Sequence, residues 1–444
     1  MTSTWPLLKI KDYPIQIIDG DRGANYPNKS ELLEAGHCLF LNTGNVTKSG
    51  FNFSNCVFVD EEKHNALRKG TLSRFDTILT TRGTIGNVAF FSNSIAFENI
   101  RINSGMLILR PDVEHLLPEF LYHLLRSEIF QKQAEQFMYG AAQPQLPITT
   151  LKHIFLPLPK ISIQKKISTV LSSYDELMEN NLKRIKLLEE MAQITYEEWF
   201  VRMKFAGYET AVFDDKTGLP EGWHDSKIED LAEVTSSKRV FLSDYVEEGV
   251  NFYRGKEIIL KSKNEDISEQ LYISHSKYEE LKKKFGVPQC GDILVTAVGT
   301  LGYPYQVAET DEAFYFKDGN LIWLRNIVSS HASNYLISLF QSHGFKSSLN
   351  NIAIGSSQKA LTIKAIKAIK LLKPSDDILE KFDNLIEPTF NSRRNLLQQI
   401  KRLKEARDIL LPRLMTGMID IEKVELPEAM LQRLELPETE MTKT

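Results

Sequence analysis

The sequence contains few cysteines, and they are too far apart to form a recognisable site. Cys38, Cys56 and Cys290 are the three cysteines in 444 residues. An odd number at this spacing excludes a disulfide framework and a cysteine-based zinc site. Small buried residues in a reducing compartment are the ordinary interpretation, so we expect a cytoplasmic protein.

Long apolar runs are also missing. The opening MTSTWPLLKIKDY has no apolar core of a secretory signal, and no segment reaches the roughly 18 apolar residues of a membrane helix. We therefore expect no membrane partner. The composition, 42% apolar and 25% charged, is typical of globular proteins, and the length favours two domains.

Motifs that accompany catalysis are absent as well. No G-x-G occurs, which excludes a dinucleotide fingerprint and the glycine-rich loop of an adenosylmethionine site. The sequence has no Walker loop, no G-x-S-x-G and no Asn-Pro-Pro-Phe/Tyr, and its nine histidines lack metal-ligand spacing. We predict that this chain has no catalytic residue, no metal and no cofactor of its own.

Acidic residues are missing from two long stretches, residues 136–174 and 319–375, although the net charge is −4. The basic residues there are Lys152, Lys160, Lys165 and Lys166 in the first and Arg325, Lys346, Lys359, Lys364, Lys367, Lys370 and Lys373 in the second. A local positive surface predicts contact with phosphate groups. A solvated lysine face is the alternative, above all for the helix-spaced Lys364, Lys367 and Lys370.

The chain contains one pattern twice. TTRGTIGNVAF at 80–90 returns as TAVGTLGYPYQ at 296–306. GAAQPQLPITTLKHIFLPLP at 140–159 returns as GSSQKALTIKAIKAIKLLKP at 355–374, so the offset between the copies is almost the same. Two units, each close to half of the chain, are too long for a solenoid repeat and indicate duplicated domains.

Each unit begins with β-rich sequence and ends in a helical pattern with a period of 3.6. The apolar stripes of the two helices occupy equivalent positions of the repeat: Leu182, Ile185, Leu188, Thr195 and Trp199, and Leu397, Ile400, Leu403, Leu410 and Leu414. Such stripes must be buried. We predict that the two helices pair with each other as an antiparallel coiled coil; the alternative is that each packs on its own domain. Pro388 is expected to kink or split the second helix.

Two globular units, each followed by a long helix and each containing G-T-[IL]-G, closely resemble the specificity subunit of Type I restriction–modification systems. The most specific likenesses are LPEGWHDSKIEDLAEV at 219–234, QLPITTLKHIFLPLPKISIQKKI at 145–167 and ILLPRLMTGMIDI at 409–421. The first unit departs from the family by opening without Pro-x-Gly-Trp.

The resemblance implies a mixed α+β fold, with two pseudo-repeated α/β target-recognition domains joined by two long helices that form an antiparallel coiled coil. The predicted boundaries are 1–160 for the first recognition domain, 161–206 for the central spacer helix, 207–374 for the second recognition domain, 375–418 for the C-terminal spacer helix and 419–444 for an acidic tail.

The resemblance also implies a function without catalysis. Each recognition domain would read one half of a split, asymmetric site in double-stranded DNA. The helices would set the spacing and dock two methyltransferase subunits, which bind S-adenosylmethionine, and motor–nuclease subunits can then join. Two alternatives stay open: a coiled-coil protein-interaction scaffold that never touches DNA, and a chain split from a fused methyltransferase–nuclease.

Candidate contact residues follow from the two repeated motifs. Their glycines are typical of tight turns, and their glutamines can hydrogen-bond to the edge of an adenine base. For DNA they are Arg82, Thr84, Asn87, Gln143, Lys152, Thr300, Tyr303, Gln358, Lys359, Lys364 and Lys367. For the helix pair and the protein partners they are Leu182, Ile185, Leu188, Trp199, Phe200, Leu397, Ile400, Leu403 and Leu414. For the glutamine loops, packing against the helix junction is the alternative; for Trp199, Phe200 and Leu414 it is core packing.

Overall fold

A computed structural model describes residues 5–138, 144–265, 267, 269–355 and 359–435. The chain forms two compact units. The first unit contains residues 1–178 and 403–444, and the second contains residues 179–402. Each unit therefore contains a globular part and one stretch of each long helix.

The first half of the chain supplies eleven described strands and five described helices. The strands are β1 (Leu7–Lys9), β2 (Ile15–Asp19), β3 (Cys38–Leu41), β4 (Val46–Thr47), β5 (Gly50–Phe51), β6 (Phe58–Val59), β7 (Thr77–Thr80), β8 (Val88–Phe90), β9 (Ile100–Ile102), β10 (Met106–Pro111) and β11 (Phe155–Pro157). The helices are α1 (Glu61–Ala66), α2 (Pro118–Arg126), α3 (Glu128–Gln136), α4 (Ile148–Leu151) and α5 (Ile161–Tyr196).

The second half repeats this order. Its described strands are β12 (His224–Lys227), β13 (Glu233–Thr235), β14 (Tyr245–Val246), β15 (Val250–Tyr253), β16 (Leu271–Ile273), β17 (Ile293–Thr296), β18 (Pro304–Gln306), β19 (Phe314–Phe316), β20 (Leu321–Arg325) and β21 (Lys370–Lys373). Its described helices are α6 (Ile228–Leu231), α7 (Gly255–Ser262), α8 (His275–Phe285), α9 (Ser330–Gln341), α10 (His343–Ile352), α11 (Ile363–Lys367), α12 (Asp376–Met415) and α13 (Glu428–Glu435).

The sheets confirm the duplication. An antiparallel sheet of order β2-β10-β7-β8 in the first unit has the counterpart β13-β20-β17-β18 in the second. A second sheet contains one parallel pair in each unit, β3 with β9 and β15 with β19. The register repeats too, since Leu79 pairs with Val88 and Val295 pairs with Pro304. The mixed α+β fold and its two domains thus agree with the expectation.

The two long helices also agree with the expectation, with one correction. α5 continues through a π-helical turn, Glu197–Val201, and α12 runs without interruption for 40 residues. Pro388 does not split α12, so the predicted split was wrong, and the predicted kink stays a prediction. Pro388 and Asn384 both lie on the exposed side of the helix, where water can bond to the backbone carbonyl that lacks its N–H partner.

The long helices run antiparallel within each unit. In the second unit the Asn181 side-chain amide donates to Gln399 Oε1 at 3.3 Å, and Arg393 Nε lies 2.6 Å from Glu189 Oε1. Leu182 differs from the expected stripe, because its side chain is 55% exposed and Asn181 is buried in its place. The buried face advances in steps of four and three residues, which is the heptad spacing of paired helices.

The other predicted stripe residues lie on inner faces. Ile185 and Leu414 are buried, and Leu188, Leu397, Ile400 and Leu403 are half-buried. Trp199 and Phe200 lie in the main core of the second unit, where the Phe200 ring is 4.8 Å from that of Phe382. Core packing is therefore what the structure shows for these two aromatic residues.

Within the described part of the chain, no helix combines the length and apolar character that crossing a bilayer requires.

Candidate nucleic-acid interface

The two glycine-framed motifs, Gly83–Gly86 and Gly299–Gly302, each form the loop of a β-hairpin. The first joins β7 to β8, and the second joins β17 to β18. All four glycines have left-handed backbone angles: φ is 72° at Gly83, 84° at Gly86, 78° at Gly299 and 71° at Gly302. Side-chain-bearing residues rarely adopt these angles. The predicted tight turn is confirmed in both units.

A threonine hydroxyl organises each turn. Thr80 Oγ1 donates to the backbone oxygen of Thr84 and accepts from Asn87 N at 3.0 Å. In the second unit Thr296 occupies the same place and accepts from Tyr303 N at 2.9 Å. The backbone is thus built in the same way twice, while the outward side chains differ. The sequence match of Thr80 with Thr296 was the signal that could have identified this role.

Three of the predicted contact residues are exposed on these turns: Arg82, Thr84 and Thr300. Thr84 also lies beside a 3₁₀ turn, Thr43–Asn45, since its hydroxyl donates to Thr43 O at 3.4 Å. No motif marks this neighbouring turn in the sequence, which is why sequence reasoning missed it. The exposed groups are available to a ligand, and their role in binding DNA stays a prediction.

The other two turn residues already have internal partners. The Asn87 amide donates to Val46 O at 2.9 Å, and the Tyr303 hydroxyl accepts from Ser262 Oγ at 3.0 Å. Both side chains are half-buried. Each side chain has a donor that this bond does not use, because an amide has a second N–H and a phenol has its own O–H.

The second repeated word lies beside the first in both units. Arg82 forms a β-bridge with Gln145, and Val298 forms the equivalent bridge with Ala360. A backbone hydrogen bond follows each bridge, 3.0 Å long in the first unit and 2.8 Å in the second. The hairpin turn and the second repeated motif, which are well separated in the sequence, therefore form one surface in each unit. We call it the turn–loop surface.

Gln143 and Gln358, the candidate adenine readers, lie outside the described residues. Their described neighbours Pro144 and Lys359 are exposed. Lys359 Nζ donates to Asn350 O at 3.4 Å. Lys364, on the short helix α11, is exposed as well.

Lys367 lies in a different environment. It lines a hollow of about 340 Å³ together with Glu229, Asp230 and Glu233. The pKa of Glu233 is lowered by its hydrogen bond to Arg325 first, and the charge of Lys367 adds to this effect. Residues 319–375 thus contain no acidic residue, but acidic residues from elsewhere in the chain lie beside them. The reason is that β21 pairs with β12, which brings the acids of α6 close.

Lys152, the counterpart of Lys367 in the first unit, is exposed and has basic neighbours. Its backbone oxygen accepts from Lys11 N at 3.2 Å, and Lys9 lies on the adjacent strand β1, with its ammonium 5.3 Å from the Phe155 ring. Lys11 contacts Asp12 only loosely, at 3.8 Å. Carboxylates line the hollow that contains Lys367, whereas the chain segments next to Lys152 contribute Lys9 and Lys11.

A buried acid supports each hairpin, and here the two units differ. Asp76 accepts two hydrogen bonds from Arg110, at 2.8 and 2.7 Å. Its counterpart Asp292 accepts from the Trp323 indole at 2.8 Å, and burial raises its pKa. The acids match in sequence, but their partners could not be identified without the strand pairing.

Among the described residues, one exposed group could offer three ligand atoms to a metal ion, namely Asp112, Glu114 and His115. Asp112 already accepts from Glu114 N at 3.2 Å and lies 3.1 Å from His115 Nδ1. These bonds are ordinary for a turn that precedes a helix, and we assign no metal site.

A family model described as the Type I restriction modification DNA specificity domain matches residues 15–190 and 220–402. The Type I restriction enzyme MjaIX specificity subunit of Methanocaldococcus jannaschii is 26% identical over 363 residues, covering 80% of this chain and 79% of that protein. The HindI specificity subunit of Haemophilus influenzae is 21% identical over 469 residues, covering 90% and 98%. The crystal structure of a Type I S subunit from M. genitalium has a TM-score of 0.54 at 15% identity, covering 93% of this chain and 99% of the other, which shows a shared fold.

Proposed function

We propose, since this chain belongs to the family of Type I restriction–modification specificity subunits, that it recognises a split DNA site and reads one half with each globular unit. The family is one of DNA specificity, and a specificity subunit is a non-catalytic part of its complex. The observation that carries the proposal is the turn–loop surface, which occurs once in each unit with the same backbone.

The exposed side chains of the two surfaces support an asymmetric site. Arg82, Thr84 and Thr300 are exposed, whereas Val298, which takes the place of Arg82 in the second unit, is half-buried and packs partly on the core. Arginine can bond to guanine in the major groove, whereas valine offers only apolar contact, such as with the thymine methyl group. The two half-sites should therefore differ in sequence although the frames repeat.

Two methyltransferase subunits are the proposed protein partners, and they would bind the S-adenosylmethionine. Ile194 on α5 and Ile409 on α12 occupy equivalent positions of the repeat, and they are 60% and 55% exposed. A single exposed isoleucine is ordinary. The same exposure at both equivalent positions supports a partner that binds twice, once on each unit. Motor–nuclease subunits can join the same complex.

The function is tested by sequencing DNA methylation in a host that carries this gene with its methyltransferase partner. We expect one motif with two different specific parts separated by a gap of fixed length. Exchanging the turn–loop residues of one unit should change one part of the motif and leave the other intact. A host methylome that does not change when the gene is deleted would favour the coiled-coil scaffold instead.

Neutralising the exposed lysines of the second unit should flatten the salt dependence of DNA binding. The double variant Lys359→Gln with Lys364→Gln is expected to lower the slope of log K against log salt by about two, roughly one for each phosphate group that is no longer neutralised. Lys367→Gln is the matched comparison and should change the slope less, because Glu229 and Asp230 already lie beside it. The measurement is a titration of the full chain with a duplex at several salt concentrations. An unchanged slope in the double variant would remove both lysines from the interface.

A further inference from the structure

A carboxylate on α5 joins three elements of the first unit. Asp175 Oδ1 lies 2.6 Å from Arg407 Nη1 on α12, and Asp175 Oδ2 lies 3.0 Å from Arg126 Nη1 on α2. One side chain thus connects both long helices with a helix of the globular part. We call Asp175, Arg126 and Arg407 the first clamp.

The first clamp is an enclosed ion group. Arg407 and Arg126 expose only about a tenth of their side chains, and His123, whose Nδ1 is 3.9 Å from Asp175, is almost completely buried. Burial alone would raise the pKa of Asp175, but the permanent positive charges of Arg126 and Arg407 hold it below the usual value. The carboxylate is therefore charged at neutral pH, and its two arginine contacts persist.

The second unit has a clamp of different composition. Asp383 on α12 accepts from Asn334 Nδ2 at 2.6 Å and lies 2.8 Å from His331 Nδ1, and both partners are on α9. Asp383 and Asn334 are buried. We call these three residues the second clamp. Like the first, it fixes a helix of the globular part to a long helix.

The two clamps are not copies of one another. The repeat position that corresponds to Asp383 is Ser168, and the position that corresponds to Asp175 is Phe390. Ser168 is buried, and its hydroxyl has no hydrogen-bond partner among the described residues. In each unit a buried carboxylate therefore links the globular part to a long helix, but it lies on α5 in the first unit and on α12 in the second. A polar link at this junction is thus present in both units although the repeat did not copy it.

We propose that Asp175 and Asp383 are positioning residues that fix the angle of each DNA-reading part on the long helices, and so determine which gap between half-sites the protein accepts. The inference rests on the proposed function. Apolar packing at the same junction is non-directional, whereas charge-assisted hydrogen bonds have a fixed geometry. Buried polar groups can specify a single register for this reason. One added base pair moves a half-site by about 3.4 Å and rotates it by about 34°, so a fixed angle discriminates strongly between gaps.

The test uses Asp175→Asn and Asp383→Asn in the full chain, since both keep the shape of the side chain and remove its charge. Glu179→Gln is the control, because Glu179 is exposed on α5 and forms a surface ion pair with Lys183, at 2.9 Å, in the next turn. Binding is measured to duplexes with the cognate gap, with gaps one and two base pairs longer or shorter, and to duplexes with one half-site alone. Thermal melting of each variant is recorded in parallel.

We expect each clamp variant to reduce the preference for the cognate gap by about fivefold or more, a typical lower value for coupled sites. Affinity for a single half-site should stay within about twofold of wild type, as should everything measured for Glu179→Gln. A purely structural role would lower the melting temperature and leave the gap preference unchanged, and that result would overturn the inference. If Asp175→Asn does not fold, Asp383→Asn decides the question. A wild-type chain that binds all gaps equally would instead overturn the proposed function itself.

Discussion

Lowering the pH from about 6.5 to about 3 is expected to destabilise the first unit through one side chain, His123. This histidine is 1% exposed, and burial lowers its pKa to about 3, with Arg126 and Arg407 opposing protonation and Asp175 favouring it. In the unfolded chain the same imidazole takes up its proton near pH 6.5. Between these two values the unfolded state binds one more proton than the native state, so stability falls as the pH falls.

The expected slope is about 1.4 kcal/mol per pH unit, which reaches roughly 5 kcal/mol across the whole window. Asp175 acts in the same direction but lower on the scale, because its folded pKa is depressed and its contribution disappears only below the pKa of an ordinary aspartate. Between pH 4.5 and 6.5 the histidine is therefore the main contributor of the two.

His123→Gln isolates this effect, because glutamine can still bond to Ser172 Oγ, which lies 3.2 Å from His123 Nε2, but cannot take up a proton. Urea unfolding of wild type and variant at several pH values, followed by a probe in the first unit, gives the difference between them. That difference should shrink or reverse towards low pH, since other titrating groups are common to both proteins. Parallel curves for the two proteins would show that His123 does not titrate on unfolding.

Replacing Gly302 by alanine is expected to destabilise the second unit by about 2–4 kcal/mol, the sum of a left-handed backbone and a steric clash. A Cβ on Gly302 would lie 2.2 Å from Cδ1 of Leu349. Leu349 is only 1% exposed and belongs to the main core, so it cannot turn aside freely.

Gly299 provides the matched control for this substitution. Its φ of 78° is similar, but a Cβ there would meet nothing within 4 Å, so Gly299→Ala should cost only about 1–2 kcal/mol of backbone strain. The double variant Gly302→Ala with Leu349→Ala should remove the clash, giving less destabilisation than the sum of the two single variants. Denaturant unfolding of the four proteins measures each quantity. Equal effects at Gly299 and Gly302 would mean that the turn does not pack against α10 as closely as described.

Some of this architecture could be predicted from the sequence because it depends on local patterns. The repeated glycine motifs predicted hairpin turns, because glycine beside a strand pattern is typical of a tight turn. The apolar period of 3.6 predicted two long helices, and a stripe of that length has to be buried against a partner. The split predicted at Pro388 was wrong, because the effect of a proline on a helix depends on whether the unpaired carbonyl faces water.

The side chains that the candidate DNA interface exposes could be predicted only in part. Arg82 and Thr84 are exposed as expected, whereas Asn87 and Tyr303 also bond inward, to Val46 and Ser262. Sequence alone does not distinguish a polar side chain that faces solvent from one that bonds to the next loop. The same limit applies to Lys367, whose acidic neighbours lie on α6 and β13, far earlier in the chain.

By itself, the sequence determined that the molecule is duplicated, that each copy joins a β-rich part to a long helix, and that the usual catalytic motifs are missing. These features follow from composition and periodicity, which are properties of neighbours along the chain. The tertiary structure alone decided that Asn181 rather than Leu182 lies between the helices, which lysines have acids beside them, and that Asp175 and Asp383 anchor the junctions. Each of these depends on which distant segments meet, and on the burial and charge that arise only where they do.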